Sequence, residues 1–348
     1  MRRRHPWRWL AGIAAVLLLG WALFIPTNQY LEQPGDATAL APLVKVANQP
    51  DKAKGNYYLM TVGIVGPATP AMLLWGQFQP FTDRISASDL MGDASSQEYD
   101  TLQHYYITSA ANYAVIAAFK AAEQPVTVKH NGIYVMSVLK QSPFKKQLQV
   151  GDTITALDGK QYPSADAYVS AIKRRKIGSP LTITYQHAGK TKTATAKLIR
   201  LPETKQAGIG ITLTENTSVK TTPSVKIDAG KIGGPSAGLM FALETYDVIT
   251  GGQLRDGREV AGTGEIDADG NVGQIGGIDK KVYAANAKGA TIFFAPDQPA
   301  TKEIKRLDSS YENNLDVAKR AAKQLKTKMK IVPVKTLQDA IDYLQKTK

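Results

Sequence analysis

Cysteine is absent from the 348 residues of the chain. A chain without thiols has no disulfide bonds, no zinc–thiolate or iron–sulfur site and no cysteine nucleophile. Histidine is also scarce, and its four positions are His5, His104, His130 and His187. If the protein is a hydrolase with a side-chain nucleophile, these absences leave serine as the main candidate.

Acidic residues are outnumbered, because 30 Asp and Glu face 43 Lys and Arg and give a formal net charge of +13. Such a charge is typical of proteins that bind nucleic acid or an anionic membrane surface. The basic residues are dispersed and no nucleic-acid-binding motif accompanies them, so we expect no nucleic-acid partner. The length predicts about two globular units.

The N-terminal stretch combines clustered arginine with a long uncharged run. Four arginines in residues 1–8 precede Trp9 to Ile25, seventeen residues without charge, which is at the short end for a bilayer span. Small residues at the spacing of a signal-peptide cleavage site are missing after the run. The sequence therefore predicts a cytoplasmic basic segment at 1–8 and an uncleaved transmembrane helix at 9–25, with every later residue extracytoplasmic.

The next hundred residues predict a linker, a strand and a helix. Residues 26–56 are polar and contain four prolines, which indicates a linker. The apolar run 57–62 predicts a buried strand. Ser95 and Glu98 have the spacing of a capping box, which predicts a long helix that ends near Ala122.

Residues 125–201 predict a second unit, because short strand patterns and turn signals surround one helix. The pattern suits a small, partly open β-rich barrel and resembles a PDZ domain, since residues 148–154 read Leu-x-x-Gly-Asp-x-Ile and an Asp-Gly pair follows. A PDZ groove binds a peptide by adding it as a strand to a sheet edge. The resemblance implies that the peptide is held by a loop of four residues, Gly132, Ile133, Tyr134 and Val135. An ordinary small β domain is the alternative.

Residues 206–348 alternate strand and helix patterns, so the chain after the linker is predicted to have the α+β class. Strands are expected near 224–228, 259–262, 291–295 and 330–334, and helices near 235–249, 278–288, 317–326 and 336–345. A β-hairpin is expected across 260–275, with an Asp-Gly turn.

A glycine-rich hexapeptide at 233–238 marks a candidate nucleophile. It reads Gly-Gly-Pro-Ser-Ala-Gly and precedes an apolar helical run. Proline suits the first position of a helix and glycine permits a sharp turn, so Ser236 is predicted at a helix N-terminus. Free N–H groups and the helix dipole there favour an oxyanion, as a serine nucleophile requires. A serine that only caps the helix is the alternative.

The same segment fits Gly-x-Ser-x-Gly, the nucleophile elbow of α/β hydrolases, whose histidine base follows the serine in the sequence. No histidine follows Ser236. A Ser-His-Asp triad is therefore not expected, and another group must accept the serine proton.

A lysine can accept that proton if burial lowers its pKa. At about 100° per residue, Ile278, Val282 and Ala285 form one apolar stripe of a helix. Lys281 lies close to this stripe, and Lys280 lies on the far side. The pattern predicts Lys281 as a buried base and Lys280 as a solvated residue.

Three segments resemble the proteolytic domain of Lon-type peptidases, which use a Ser-Lys dyad. They read Gly-Pro-Ser-Ala-Gly at 234–238, Thr-Gly-Glu-Ile at 263–266 and Gly-Gly-Ile-Asp-Lys-Lys at 276–281. The resemblance implies that Ser236 is the nucleophile and Lys281 the general base. Support for the oxyanion and the dyad is expected from Gly234, Pro235, Ala237 and Thr263. Many Lon proteases carry an acidic residue where this chain has Gly233.

A PDZ unit beside an N-terminal anchor resembles the membrane-anchored, PDZ-containing Lon-type proteases of Gram-positive bacteria, the YlbL/SepM-like group. This resemblance implies a serine endopeptidase that cleaves extracytoplasmic peptides or flexible protein segments, which the PDZ domain recruits or gates. The single Gly-Lys-Thr, at 189–191, lacks the earlier Walker A glycine, so we expect ATP-independent action without nucleotide, cofactor or metal. A non-catalytic, membrane-tethered PDZ scaffold that binds peptides is the alternative.

The order of the segments predicts a nested arrangement. Residues 57–124 are expected to supply the first strand and helix of the proteolytic domain. The PDZ unit at 125–201 would then be an insertion, and residues 206–348 would complete the Lon-type domain.

Overall fold

The computed structural model describes residues 6–348, which form a mixed α/β fold. The helices are α1 Pro6–Phe24, α2 Pro70–Gly76, α3 Ala87–Met91, α4 Ser96–Ala121, α5 Ala165–Lys173, α6 Gly238–Ile249, α7 Ile278–Lys288, α8 Lys302–Leu307, α9 Asn314–Gln324 and α10 Leu337–Lys346. A short 3-10 helix, Pro235–Ala237, precedes α6.

The strands fall into two main sheets and several short pairs. They are β1 Gln29–Ala39, β2 Val44–Val46, β3 Asn56–Val65, β4 Asp83–Ser86, β5 Val126–Val138, β6 Thr153–Leu157, β7 Pro180–His187, β8 Lys190–Lys197, β9 Ile199–Arg200, β10 Ala207–Gly208, β11 Ile211–Thr221, β12 Val225–Ile227, β13 Glu259–Gly262, β14 Glu265–Ile266, β15 Val272–Gly273, β16 Ile292–Pro296 and β17 Lys330–Val334.

The larger sheet has six strands in the order β17-β16-β13-β3-β1-β4. Its first four strands are parallel neighbours, and β1 and β4 add antiparallel pairs at the other edge. Gly262 at the end of β13 lies opposite Leu59 of β3 and Phe294 of β16. Strands from residues 29–86 and strands from residues 259–334 therefore build one sheet.

Helices cover both faces of this sheet, so its central strands are apolar on both sides. Tyr57 and Leu59 of β3 point into one core, with α4, α6 and α10. Tyr58 and Met60 point into the opposite core, with α7 and α9. Successive strand residues face opposite sides, and β3 thus joins the two helical layers.

The second sheet is antiparallel, with the order β11-β5-β6-β7-β8, and it has its own apolar core beneath α5. β5 pairs with β11 along its whole length, from Val126 opposite Thr221 to Val138 opposite Ile211. This sheet therefore extends beyond residue 201, the predicted end of the β-rich unit. The alternating polar residues of β11 carry little strand signal, and long-range pairing with β5 defines the element.

Helix α4 contacts both sheets. It packs along α6 in the larger unit, and on its other side the Tyr105 hydroxyl donates to the Glu215 carbonyl of β11 over 2.6 Å. The Tyr105 ring stacks on Tyr134 of β5, with ring centroids 4.1 Å apart. Asn112 Nδ2 donates to the Thr217 carbonyl over 2.9 Å. These contacts fix the β-rich unit to a helix of the larger unit.

Several predicted elements are confirmed. The strand at 57–62 is the centre of β3. Ser95 caps α4 as predicted, since its hydroxyl accepts from the Glu98 N–H and the Glu98 carboxylate accepts from the Ser95 N–H. α7 begins at Ile278, as the periodicity indicated. The predicted hairpin is shorter than expected, because β14 pairs with β15 while β13 belongs to the larger sheet.

The predicted linker at 26–56 is wrong in its main part. β1 lies within it and pairs with both β3 and β4, and β2 pairs with β12. Polar composition and proline suggested a linker, but a kink between Pro34 and Ala37 accommodates the proline in the paired strand.

The N-terminal prediction is supported only as a helix. α1 covers the predicted segment, yet nowhere in residues 6–348 is a helix long and apolar enough to cross a membrane. Residues 1–5 of the predicted basic segment lie outside the described residues.

A fragment of residues 206–348 should not fold on its own, because β3 and β1 lie inside the sheet that this fragment contributes to. We expect no cooperative thermal transition by circular dichroism. A matched fragment of residues 26–348 keeps all six strands and should unfold cooperatively. A cooperative transition of the 206–348 fragment at a similar temperature would contradict the shared sheet.

Candidate active site

A cleft of about 580 Å³ opens beside the larger sheet. One side is formed by β1 and β3, another by residues 231–237 before α6, and α4 contributes Tyr99 and Gln103. Ser236 and Lys281 both line this cleft. The sheet, α4, α6 and α7 therefore meet at one place.

The segment before α6 presents Ser236 at the cleft. Gly234 has φ +85° and ψ 158°, a conformation that glycine adopts and other residues rarely do. Pro235 then occupies the first position of the 3-10 turn, as expected. The turn continues into α6, whose residues 239–243 are fully buried. Burial of this helix anchors Ser236 against the cleft.

The serine backbone is held from two directions. The Gly234 N–H donates to the Gln103 carbonyl of α4 over 3.0 Å. The Ser236 carbonyl accepts from the Gly264 N–H over 3.0 Å and from the Thr263 hydroxyl over 3.0 Å. The nucleophile candidate is thus fixed by α4 and by the segment that follows β13.

These bonds correct the expected oxyanion group. The Gly234 N–H already has a partner, and Pro235 has no N–H. Ala237 is buried in the core. The first N–H groups of a helical turn lack partners within the turn, and no bond from the Ser236 N–H to another segment is found within residues 6–348, so the Ser236 N–H is a candidate oxyanion donor.

Lys281 comes from the first turn of α7. Gly277 precedes the helix with φ +64°, and the Lys281 side chain is 3% exposed. Its Nζ lies 2.6 Å from Ser236 Oγ and 3.1 Å from Thr263 Oγ1. The structure thus brings together the three residues Ser236, Lys281 and Thr263, which lie far apart in the sequence.

Burial decides the charge of Lys281. Removal from water disfavours the ammonium form and lowers the pKa of Lys281 to about 7, although the negative charge of Glu32 opposes this shift. Near neutral pH a large fraction of Lys281 is therefore an uncharged amine. An uncharged amine beside a serine hydroxyl can accept its proton.

The prediction that Lys280 is solvated is wrong. Its side chain is buried, and its Nζ lies 2.5 Å from Asp83 and 3.5 Å from Glu32. Burial alone would lower the pKa of Lys280, but the hydrogen bond to Asp83 and the charges of Glu32 and Asp279 outweigh burial and raise it. The apolar stripe of α7 predicts only which side of the helix faces the core. It could not predict that β1 and β4 cover the opposite side, where Lys280 lies.

The expected carboxylate-binding loop at Gly132–Val135 is also wrong. These residues lie inside β5, where Ile133 and Tyr134 pair with β11 on one side and β6 on the other. β11 is instead an edge strand of this sheet. Its carbonyls at Glu215 and Thr217 are taken by α4, which leaves residues 211–214 as the candidate peptide-binding edge.

Two observations mark that edge. The Glu215 carboxylate accepts from the Ala165 N–H at the start of α5, so the helix lies beside β11. The sequence signal was the run 207–211, Ala-Gly-Ile-Gly-Ile, whose glycines precede the strand. No comparable signal marked Gln103 or Glu32, because each reaches the cleft through long-range packing.

Metal-ligand clusters of three or more residues are not found among residues 6–348.

Comparisons with known proteins assign both units. Residues 123–198 match the PDZ domain family, and residues 203–345 match the Lon protease (S16) C-terminal proteolytic domain. The chain is similar to the Lon protease of Citrifermentans bemidjiense, with 34% identity over 99 residues, which are 28% of this chain and 12% of that protein. The Lon protease of Chloroflexus aggregans is 33% identical over 104 residues, 29% of this chain and 12% of that protein.

Among solved structures, the PDZ domain of an SdrC-like protein from Listeria monocytogenes is 37% identical and covers 25% of this chain and 92% of that one, with a TM-score of 0.24. The chain spans 12% of the length of the two Lon proteases. It therefore contains a PDZ domain and a Lon C-terminal proteolytic domain, and the comparisons support a serine peptidase.

Replacing Gly234 by alanine should strain the turn that presents Ser236, because an alanine there must keep a backbone conformation reserved for glycine. We expect Gly234→Ala to lower the free energy of unfolding by about 1–3 kcal/mol, measured by urea denaturation. Gly276→Ala is the matched control in the same cleft, since an added Cβ meets no atom within 4 Å there. Equal losses in the two variants would show that Gly234 is not strained.

Proposed function

We propose that this protein is a serine endopeptidase in which Ser236 is the nucleophile and Lys281 the general base. The observation that carries the proposal is the 2.6 Å separation of Ser236 Oγ from Lys281 Nζ inside the cleft. The low pKa of the buried amine supports it, because the base must be uncharged to take a proton. The match of residues 203–345 to a Lon proteolytic domain agrees with this chemistry.

Cleavage would proceed through an acyl-enzyme. Ser236 Oγ attacks the carbonyl carbon of the substrate while Lys281 Nζ accepts the hydroxyl proton. The carbonyl oxygen becomes an oxyanion, which the Ser236 N–H would stabilise. Lys281 then gives its proton to the leaving amine, and water hydrolyses the ester by the same route.

Thr263 has a positioning role in this mechanism. Its hydroxyl donates to the Ser236 carbonyl and leaves oxygen lone-pair density for Lys281 Nζ, 3.1 Å away. One side chain thus holds both members of the pair at their separation. A serine and an amine that are held in place react without the entropic cost of finding each other.

The substrate would be a peptide or a flexible protein segment in extended conformation. β13 pairs with β3 only as far as Leu59. Beyond it, Met60, Thr61, Val62 and Ile64 line the cleft, and this part of the strand edge can receive an extended chain. The free edge of β11 would recruit or gate such substrates. The extracytoplasmic location and the YlbL/SepM-like assignment stay predictions from the sequence.

Ser236→Ala and Lys281→Met should each lower the rate of peptide cleavage by about a thousandfold or more, because one removes the nucleophile and the other the base. Cleavage of a mixture of flexible peptides would be followed by mass spectrometry. Ser170→Ala and Lys302→Met, at exposed positions, are controls for the same chemical changes. Cleavage at the normal rate by either site variant, with an unchanged melting temperature, would exclude the dyad.

Cleavage should depend on pH through Lys281. The amine must be uncharged, so kcat/KM should rise as pH increases through about 7 and level off above it. Below that value we expect a loss of about tenfold per pH unit. Initial rates on one peptide between pH 5 and about 9 test this. A midpoint near the ordinary lysine value would mean that the base is solvated or is another group.

A further inference from the structure

We propose that Glu32, paired with the buried Lys280, sets the pH range in which Ser236 and Lys281 can act together. Glu32 is thus a positioning residue, which acts on the reaction through the Lys281 amine. The inference rests on the proposed peptidase function and adds to it the ion pair that controls its general base.

Glu32 lies between two strands and beside the start of α7. On β1 it is opposite Ile64 of β3 and Asp83 of β4. A Cβ added to Gly277 would lie 3.2 Å from Glu32 Oε1, so the carboxylate reaches the N-terminal end of α7. The helix dipole favours a negative charge there. Because Lys281 lies in the first turn of the same helix and lines the same cleft, the fold places Glu32 near the proposed base.

Lys280 holds the Glu32 carboxylate in that place. Glu32 and Asp83 are cross-strand neighbours, and like charges directly opposite each other destabilise a sheet. The Lys280 Nζ lies 3.5 Å from Glu32, 2.5 Å from Asp83 and 3.4 Å from Asp279. One ammonium thus faces three carboxylates and neutralises each of them only in part. Of the three, Glu32 is the one that lines the cleft.

The charge of Lys281 results from two opposing effects. Burial lowers the pKa of Lys281, and the negative charge of Glu32 raises it. The other charged residues that line the cleft are Asp36, Lys231 and Glu265. Within residues 6–348, none of these three is a cause of the Lys281 shift. Glu32 is therefore the carboxylate that limits how far burial favours the uncharged amine.

The field of Glu32 also extends across the cleft to α4. Burial raises the pKa of Tyr99, and the charges of Asp100 and Glu32 add to that shift. Tyr99 and Lys281 lie on different walls of the cleft. A single carboxylate thus acts on ionisable groups from two elements, as expected for a charge that is only partly neutralised by its partner.

The ion pair keeps the base between two inactive extremes. Without any carboxylate, burial would lower the pKa of Lys281 so far that the amine would accept the Ser236 proton weakly. With an unpaired carboxylate, the ammonium would persist and Ser236 would keep its proton. A carboxylate that Lys280 partly neutralises gives a base with a pKa of about 7.

The test follows kcat/KM against pH in the full chain. Glu32→Gln should move the midpoint down by about one pH unit, because the Lys281 ammonium loses a stabilising charge. The plateau above the midpoint should fall by less than about tenfold, because nucleophile and base remain. Lys280→Met should move the midpoint up, since Glu32 loses its partner and a neighbouring positive charge is removed. The double variant Glu32→Gln/Lys280→Met should lie between. Glu203→Gln and Lys302→Met, at exposed positions, should keep the midpoint.

An unchanged midpoint in Glu32→Gln, or one that moves up, would overturn the inference. A loss of rate that is equal at every pH would overturn it as well, because a merely structural role has that result. The Glu32 side chain is partly exposed. Its variant therefore tests the inference even if Lys280→Met does not fold.

The protonation of Lys281 can also be measured without a substrate. Its Cε chemical shift would be followed by NMR in the full chain and assigned by its loss in Lys281→Met. We expect the NMR midpoint to move down in Glu32→Gln, and an unchanged NMR midpoint would overturn the inference. A failure of the peptidase proposal looks different. No peptide would then be cleaved faster by the unaltered protein than by Ser236→Ala, whatever the titration of Lys281.

Discussion

The site depends on the burial of one amine. Lys281 is enclosed by the larger sheet and by the turn before α6, and this enclosure both lowers its pKa and places it against Ser236 Oγ. Its neighbour Lys280 is buried to a similar extent but remains charged, because Asp83 and Glu32 face it. The pKa of Lys281 is thus lowered and the pKa of the adjacent Lys280 is raised. Burial lowers a lysine pKa unless carboxylates compensate, and the strands around α7 place carboxylates in direct contact with Lys280, while Glu32 opposes the Lys281 shift only from a distance.

Helix α4 connects the two units more closely than their separation in sequence suggests. Gln103 holds the turn that carries Ser236, and Tyr105, two residues later, holds β11, the edge strand of the antiparallel sheet. A single helical turn therefore contacts the segment that carries Ser236 and the sheet edge proposed to bind a peptide. A displacement of β11 relative to α4 would therefore act on the same helix whose Gln103 carbonyl holds the Gly234 N–H.

The sequence allowed prediction of features that depend on local patterns. Ser236 was placed by a glycine–proline turn before an apolar helix, and Lys281 by the helical stripe of α7. The capping box of α4 is likewise a local signal. The misassigned features depend on distant partners. Lys280 is buried by β1 and β4, Gly132–Val135 is enclosed by strands β6 and β11, and the Gly234 N–H is taken by Gln103. Periodicity within one segment carries no information about which other segment will cover it.

The interleaved larger sheet has a consequence for synthesis of the chain. Its strands come from residues 29–86 and from residues 259–334, with the whole PDZ domain between them. Pairing of β3 with β13 must therefore wait until more than two hundred residues have been made, and contacts of such separation form slowly. Ser236 is made only near the end of that interval, and Lys281 follows it by 45 residues. The order of the segments thus prevents Ser236 and Lys281 from meeting before most of the chain has been made.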